Sequence, residues 1–184
     1  MGCAVDFSGL TLSYACGTVS SGGLKTIILA DLAQLKEDGA VTVAAGGAVT
    51  IGGTGLVTSG VDILTLGFNN KDAFSNFTDV KTVNADGSSS VVPTIQVEFL
   101  RMDAAKRTTL EEIATPGAEI VAFVETAAGT YHMVGYDFGL YAGTIDGASG
   151  ASRTDKNRYQ LTLVGEENVL AYTLDSANWA KVTA

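Results

Sequence analysis

Between residues 94 and 100 the side chains alternate without a break: Ile95, Val97 and Phe99 are apolar, and Thr94, Gln96 and Glu98 are polar. A period of two sends successive side chains to opposite faces of an extended chain, which a helix with its longer period cannot do. The segment therefore reads as a strand with one buried face and one face toward water or a partner. Tyr159, Leu161 and Leu163 repeat the pattern around Gln160 and Thr162. Runs of this kind, rich in Val, Ile, Thr, Phe and Tyr, are separated by many of the 22 glycines and by almost no proline, the punctuation of a mainly β domain.

Turn chemistry joins the runs into hairpins. Asp86-Gly87 is a hairpin dipeptide, so 77–84 is expected to pair with the strand ending near Arg101 as one long hairpin. Segments 120–124 and 131–136 flank Ala127-Ala128-Gly129, and 41–44 and 48–51 flank Gly46-Gly47. Segment 24–30 is a further strand, as is 169–174 after the polar turn Gly165-Glu166-Glu167-Asn168. Asp103 can cap a helix over 104–114 that places Leu110 and Ile113 on one face, and Pro116-Gly117 stops it. A shorter helix over 31–38 would turn Leu32 and Leu35 inward. Segment 143–157, built from Gly, Ala, Ser, Thr and Asp, has no apolar period and is expected to be an exposed loop. The resulting fold class is mainly β (α+β): a β-sandwich or barrel-like domain with one flanking helix, about 103–114, and a long hairpin. Residues 1–184 are expected to form one domain, with an N-terminal arm over about 1–22 and a C-terminal arm over about 174–184.

The formal charge is -9, from 20 acidic and 11 basic residues, so the long-range field repels phosphate and offers no footprint for stable nucleic-acid binding. Only 17% of residues are charged, as expected when subunit faces are buried against copies of themselves. Cys3 and Cys16 are too few for a disulfide scaffold and, with the lone His132, too few for a four-ligand zinc site, so reduced thiols are expected. The N-terminus lacks a signal peptide's charged and apolar regions, and no stretch approaches the roughly 20 apolar residues of a membrane span. A soluble product made in the cytosol, without membrane insertion, is the expectation.

A catalytic constellation is not found. Nucleophilic catalysis would have to use His132, which sits within a strand segment where packing is the commoner role. The glycine runs at 45–48 and 52–55 lead into no Gly-Lys-Ser/Thr and read as turns. Glu111 and Glu112 are adjacent and diverge on a helix, and Glu166 and Glu167 belong to a turn, so neither pair faces itself across a cleft. Asp62, Asp79, Asp86, Asp146 and Asp155 are too scattered for a calcium loop. Trp179 is expected to anchor the C-terminal tail against its own core or a neighbour. Under an alternative reading, a carbohydrate- or ligand-binding module, Trp179, Tyr131, Tyr136 and Tyr141 would supply stacking surfaces. No catalytic, cofactor-binding or metal-binding residue is assigned, and no cofactor is expected.

The stretch Phe99-Leu100-Arg101-Met102-Asp103-Ala104-Ala105-Lys106-Arg107 resembles the strand-to-helix junction of tail tube proteins of Bacteroidetes phages and prophages. Leu110-Glu111-Glu112-Ile113-Ala114, the 120–125 strand, Gly129-Thr130-Tyr131-His132-Met133-Val134-Gly135, Gly139-Leu140 and 158–167 follow in that family's order, and 22–30 is similar to its opening strand. The resemblance implies a virion structural protein whose copies close hexameric rings that stack into a hollow tube for DNA delivery. It implies contacts with itself and with tape-measure, terminator, and baseplate or tip proteins. DNA would pass through the lumen without specific binding, and assembly would take place in the host bacterial cytoplasm. The hairpin over 77–100 would supply the ring's inner sheet, and the 143–157 segment and both termini would contact the next ring. A tail terminator, a head-tail joining protein and a decoration protein are related alternatives.

Overall fold

A computed structural model describes residues 22–37, 39–68, 75–152 and 155–184. Nearly all of the expected N-terminal arm over 1–22, including Cys3 and Cys16, lies outside the described residues. The chain is mainly β, built on a nine-stranded antiparallel sheet that folds over itself into two layers.

One layer contains β1 (Leu24–Asp31), β4 (Ile63–Thr65), β7 (Ile120–Thr126), β8 (Tyr131–Val134) and β11 (Tyr172–Leu174), in the order β11-β8-β7-β1-β4. The other contains β5 (Asn76–Val83), β6 (Ser89–Leu100), β9 (Leu140–Ala148) and β10 (Arg158–Gly165), in the order β9-β10-β6-β5. A single backbone pairing, Ile120 with Leu140, joins the layers at one corner. On the opposite side they meet through side chains, Phe77 against His132 with ring centroids 5.9 Å apart.

The main core lies between the layers. Ile27, Leu29, Ala122 and Val124 face Ile95, Val97, Leu161 and Leu163, and Leu110 and Ile113 of α2 (Ala104–Ile113) close one end. A second core occupies the other face of the first layer, where Ile28, Val121, Phe123 and Met133 are covered by α1 (Leu32–Glu37), the hairpin β2 (Val41–Val43) with β3 (Val49–Ile51), and α3 (Ser176–Val182). Hence residues 120–125 of β7 are all buried, which is why that segment is continuously apolar up to Glu125 and not alternating.

The local expectations for the long hairpin, for the smaller hairpins around Gly46-Gly47 and Ala127–Gly129, and for α2 agree with the observed elements. Asp103 caps α2 by accepting from the Lys106 amide, and Asp31 does the same for α1 through Gln34, 3.0 Å away. Leu32 and Leu35 are buried, as their spacing requires.

Three expectations need correction. Segment 143–157 is not a loop throughout, because residues 143–148 continue β9 and pair with β10. No apolar period marks it because the strand is largely exposed and its glycines make room for neighbours: a side chain on Gly147 would come within 2.9 Å of the Tyr159 ring. Residues 174–184 do not form an extended arm. They end β11 and then form α3, capped by Asp175, with Val182 fully buried and Trp179 stacked on Tyr131 at 4.8 Å. In 169–174 only β11 is strand, and Val169 and Leu170 are exposed.

Gly135 sits where the chain leaves β8 for β9, with φ +83°, and an added Cβ would lie 2.6 Å from Leu140 and 2.9 Å from the Ile120 carbonyl. Gly135→Ala therefore meets both a disfavoured backbone conformation and the pairing that joins the layers. Urea unfolding should show it less stable by about 2 kcal/mol or more.

Candidate functional site

The outward face of the β9-β10-β6-β5 layer is polar by register. Thr144, Thr162, Gln96 and Asn76 lie in one row across the four strands, and Asp146, Gln160 and Glu98 lie in the next. Most of these side chains are small or neutral, the pattern of a solvated sheet face. Glu98 departs from it. Its side chain is fully buried, with Oε2 accepting from Arg158 at 2.6 Å and Oε1 from Lys156 at 3.0 Å. A carboxylate taken out of water in this way depends on its cations, which here tie the chain leading into β10 to the middle of the sheet.

A second buried carboxylate sits at the corner beside β9. Glu167 pairs with Val91 through its own backbone, while its side chain accepts from the amides of Asp137 at 2.9 Å and Phe138 at 3.2 Å. Burial, chiefly, holds its carboxyl above the usual range, against the pull of those two amides. Tyr172 donates to Asp137, and burial followed by that carboxylate pushes its hydroxyl up to about 12. Together these bonds hold the 135–140 turn and the 165–168 turn as one unit next to the first residue of β9.

The four-stranded layer has two edges. Beyond Leu140, β9 has no ladder partner other than β10, and β5 has none other than β6, among the described residues. The β5–β6 hairpin runs past the core, with residues 80–90 exposed, including Val80 and Val83. Phe138 and Tyr141 are exposed at the other edge. A groove of about 400 Å³ separates the start of β9 from the 114–119 turn.

The residues singled out from sequence do not converge on a reaction centre. His132 packs on Phe77 and lies near Thr130, and desolvation lowers its pKa while Asp79 opposes the shift. Asp79 accepts from the Ala171 amide through one oxygen, and its other oxygen is buried with no hydrogen-bond partner among the described residues. The four rings of the stacking alternative are not brought together. Tyr131 and Trp179 occupy each other, Tyr136 donates to the Val41 carbonyl and meets Tyr172 edge-on, and Tyr141 stands apart on β9. Glu111 pairs with Arg107 on the exposed side of α2. Among the described residues no group of three or more His, Cys, Asp or Glu could hold a metal, and no helix is long and apolar enough to cross a membrane.

Alternation placed Glu98 on the face toward water or a partner and turn composition placed Glu167 in a polar turn, so the burial of these two was missed; Glu125, buried in β7 with Lys25 and Thr26 on its carboxylate, is a third buried carboxylate. The only available signal for Glu98 was the pair of cations at 156 and 158, opening a strand that could lie beside it. No family model, curated protein or solved structure matches the chain.

Removing one cation from Glu98 leaves a buried charge short of a partner. Arg158→Met is expected to cost about 2 to 4 kcal/mol in chemical denaturation at neutral pH. For Glu167, a folded-state pKa above the ordinary 4.5 means that the folded chain holds its proton more tightly than the unfolded chain. That contribution to stability is complete below about 4.5 and is lost as the pH rises through the raised folded value. Denaturation from pH 7 down to pH 4.5 should therefore show the wild type gaining stability relative to Glu167→Gln, and parallel curves would contradict this.

Proposed function

We propose that this chain is a ring-forming structural subunit of the tail-tube kind, whose copies close a ring and stack into a hollow conduit for phage DNA. It works by assembly and not by catalysis, in the virion and without a cofactor. The supporting observation is the four-stranded layer whose edge strands β5 and β9 have, beyond Leu140, no further ladder partner among the described residues. Its strands alternate in direction, so β9 and β5 at the two edges run oppositely. A rotation about an axis along the strands preserves their directions, and it would bring β5 of one copy antiparallel to β9 of the next. Such a head-to-tail contact closes into a ring when the rotation divides a full turn. In a monomer these edges would be aggregation liabilities; in a ring they become the joints.

The outward face of the same layer suits a lumen. Thr78, Thr94, Gln96, Thr144, Gln160 and Thr162 give it short neutral polar groups, with Asp146 an exposed carboxylate. The nearby cations Lys156 and Arg158 are engaged by Glu98. A wall of this chemistry offers few of the phosphate contacts that would retain DNA, and the net charge of -9 per copy adds repulsion. Axial stacking would use the two ends of the sheet, with tape-measure, terminator, and baseplate or tip proteins as further partners.

Negative-stain microscopy and sedimentation velocity of the purified protein over a concentration series test this reading. Rings and stacked tubes are expected. Rings that never stack would assign a terminator or joining role, and a particle that stays monomeric at every concentration would remove the ring reading.

A further inference from the structure

Ile120 with Leu140 is the one backbone pairing between the layers, and on the far side, where β5 faces β8 and β11, no ladder joins them among the described residues. That seam holds His132 and Asp79. His132 pairs with Val124 and stands two residues before Val134, both in the main core, so its imidazole lies on the face between the layers. Asp79 stands two residues after Phe77 and pairs with Pro93, between buried Val91 and Ile95, so its carboxylate lies on the facing side. Phe77 sits against the imidazole, with ring centroids 5.9 Å apart. One oxygen of Asp79 accepts from the Ala171 amide at 2.5 Å, just before β11, and the other is buried with no hydrogen-bond partner among the described residues. A buried polar atom left unsatisfied costs about 1 to 3 kcal/mol and calls for a reason. Lys81, further along the same face of β5, is exposed, and β7 and β11 bring only Val124 and Thr173 level with His132. The Lys25–Glu125 pair belongs to the other face of β7. Asp79 is thus the charged group that the imidazole faces among the described residues.

We propose that His132 and Asp79 make this seam proton-sensitive: a proton taken up by the imidazole loosens β5 from β8 and β11, and the unsatisfied Asp79 oxygen limits the loosening by facing the new cation. The neutral ring packs on Phe77 and shares one hydrogen bond with Thr130, 3.2 Å away. The protonated ring carries a charge and a second N–H donor into a partly buried site, which is costly unless both are matched. Burial accordingly lowers the imidazole pKa and the Asp79 carboxylate raises it, burial being the larger effect. The folded chain therefore releases this proton more readily than the unfolded chain. The stability so gained is complete above the ordinary 6.5 and is lost as the pH falls through the lowered folded value. Its sign is opposite to that of Glu167, so acidification moves the two contributions in different directions.

The test is hydrogen–deuterium exchange with mass spectrometry on the full chain from about pH 8 to about pH 5, read at the imidazole C2 hydrogen and at the backbone amides. The chain has a single histidine, so the C2 profile gives the pKa of His132 whatever the size of the particle. In the wild type, His132 should titrate below 6.5. Peptides covering 75–83 and 169–174 should exchange about threefold or more faster on the acid side of that titration, after correction for the intrinsic pH dependence. Asp79→Asn removes the counter-charge and should move the titration further down. His132→Gln keeps a polar side chain and should abolish the acid step while leaving exchange at neutral pH unchanged. A His132 that titrates at 6.5 or above, amide exchange without an acid step, or a step that persists in His132→Gln overturns the proposal. The first two readouts need the wild type alone and hold even where a variant fails to fold. A titration that does not move in Asp79→Asn overturns the part given to Asp79.

Discussion

The structure depends on burying the β1–β7 pair on both faces. Ile27, Leu29, Ala122 and Val124 point into the space between the two layers, and Ile28, Val121 and Phe123 point the other way. A strand pair that is apolar on both sides cannot be left with one face in water, because each large side chain withdrawn from water is worth about 2 kcal/mol. The second face must be covered, and α1, the β2–β3 hairpin and α3 cover it. The C-terminus folds back onto the domain for that reason: Val182 fills the second core, and Asn178 bonds the backbone of Val49 and Ile51.

The other layer is buried on one face only. Its outward side is polar, and two buried carboxylates hold it in place. Glu98 draws Lys156 and Arg158 onto the middle of the sheet, and Glu167 gathers Asp137 and Phe138 beside the start of β9. Buried carboxylates add little net stability over an apolar packing, but they specify which segments lie side by side. Glu167 stands beside the start of β9, and Glu98 lies on β6 just past the Asn76–Gln96 pairing that begins β5.

Among the described residues, β9 beyond Leu140 and β5 have no ladder partner other than β10 and β6. Exposed Val80 and Val83 share the β5 edge with exposed Lys81, and exposed Tyr141 shares β9 with exposed Asp146.

Elements with strong local signatures were legible from the residues alone. Alternation marked β6 and β10, Asp86-Gly87 marked the long hairpin, and Asp103 with Leu110 and Ile113 marked α2, because turn chemistry, capping and periodicity act over a few residues. β9 was hidden because its exposed face and its glycines erase the period, although its ladder partner β10 is the next strand in the chain. The burial of Glu98 and Glu167 was equally illegible, since alternation and composition report solvent preference and not the cations or amides that a distant segment supplies. Long-range packing placed residues 176–182 as a helix on the second core, kept the four rings from converging, and left β5 and β9 without a further ladder partner beyond Leu140 among the described residues. Those outcomes follow from which strands become neighbours, and strand neighbourhood is set by long-range packing of the doubly buried β1–β7 pair, about which local pattern carries no information.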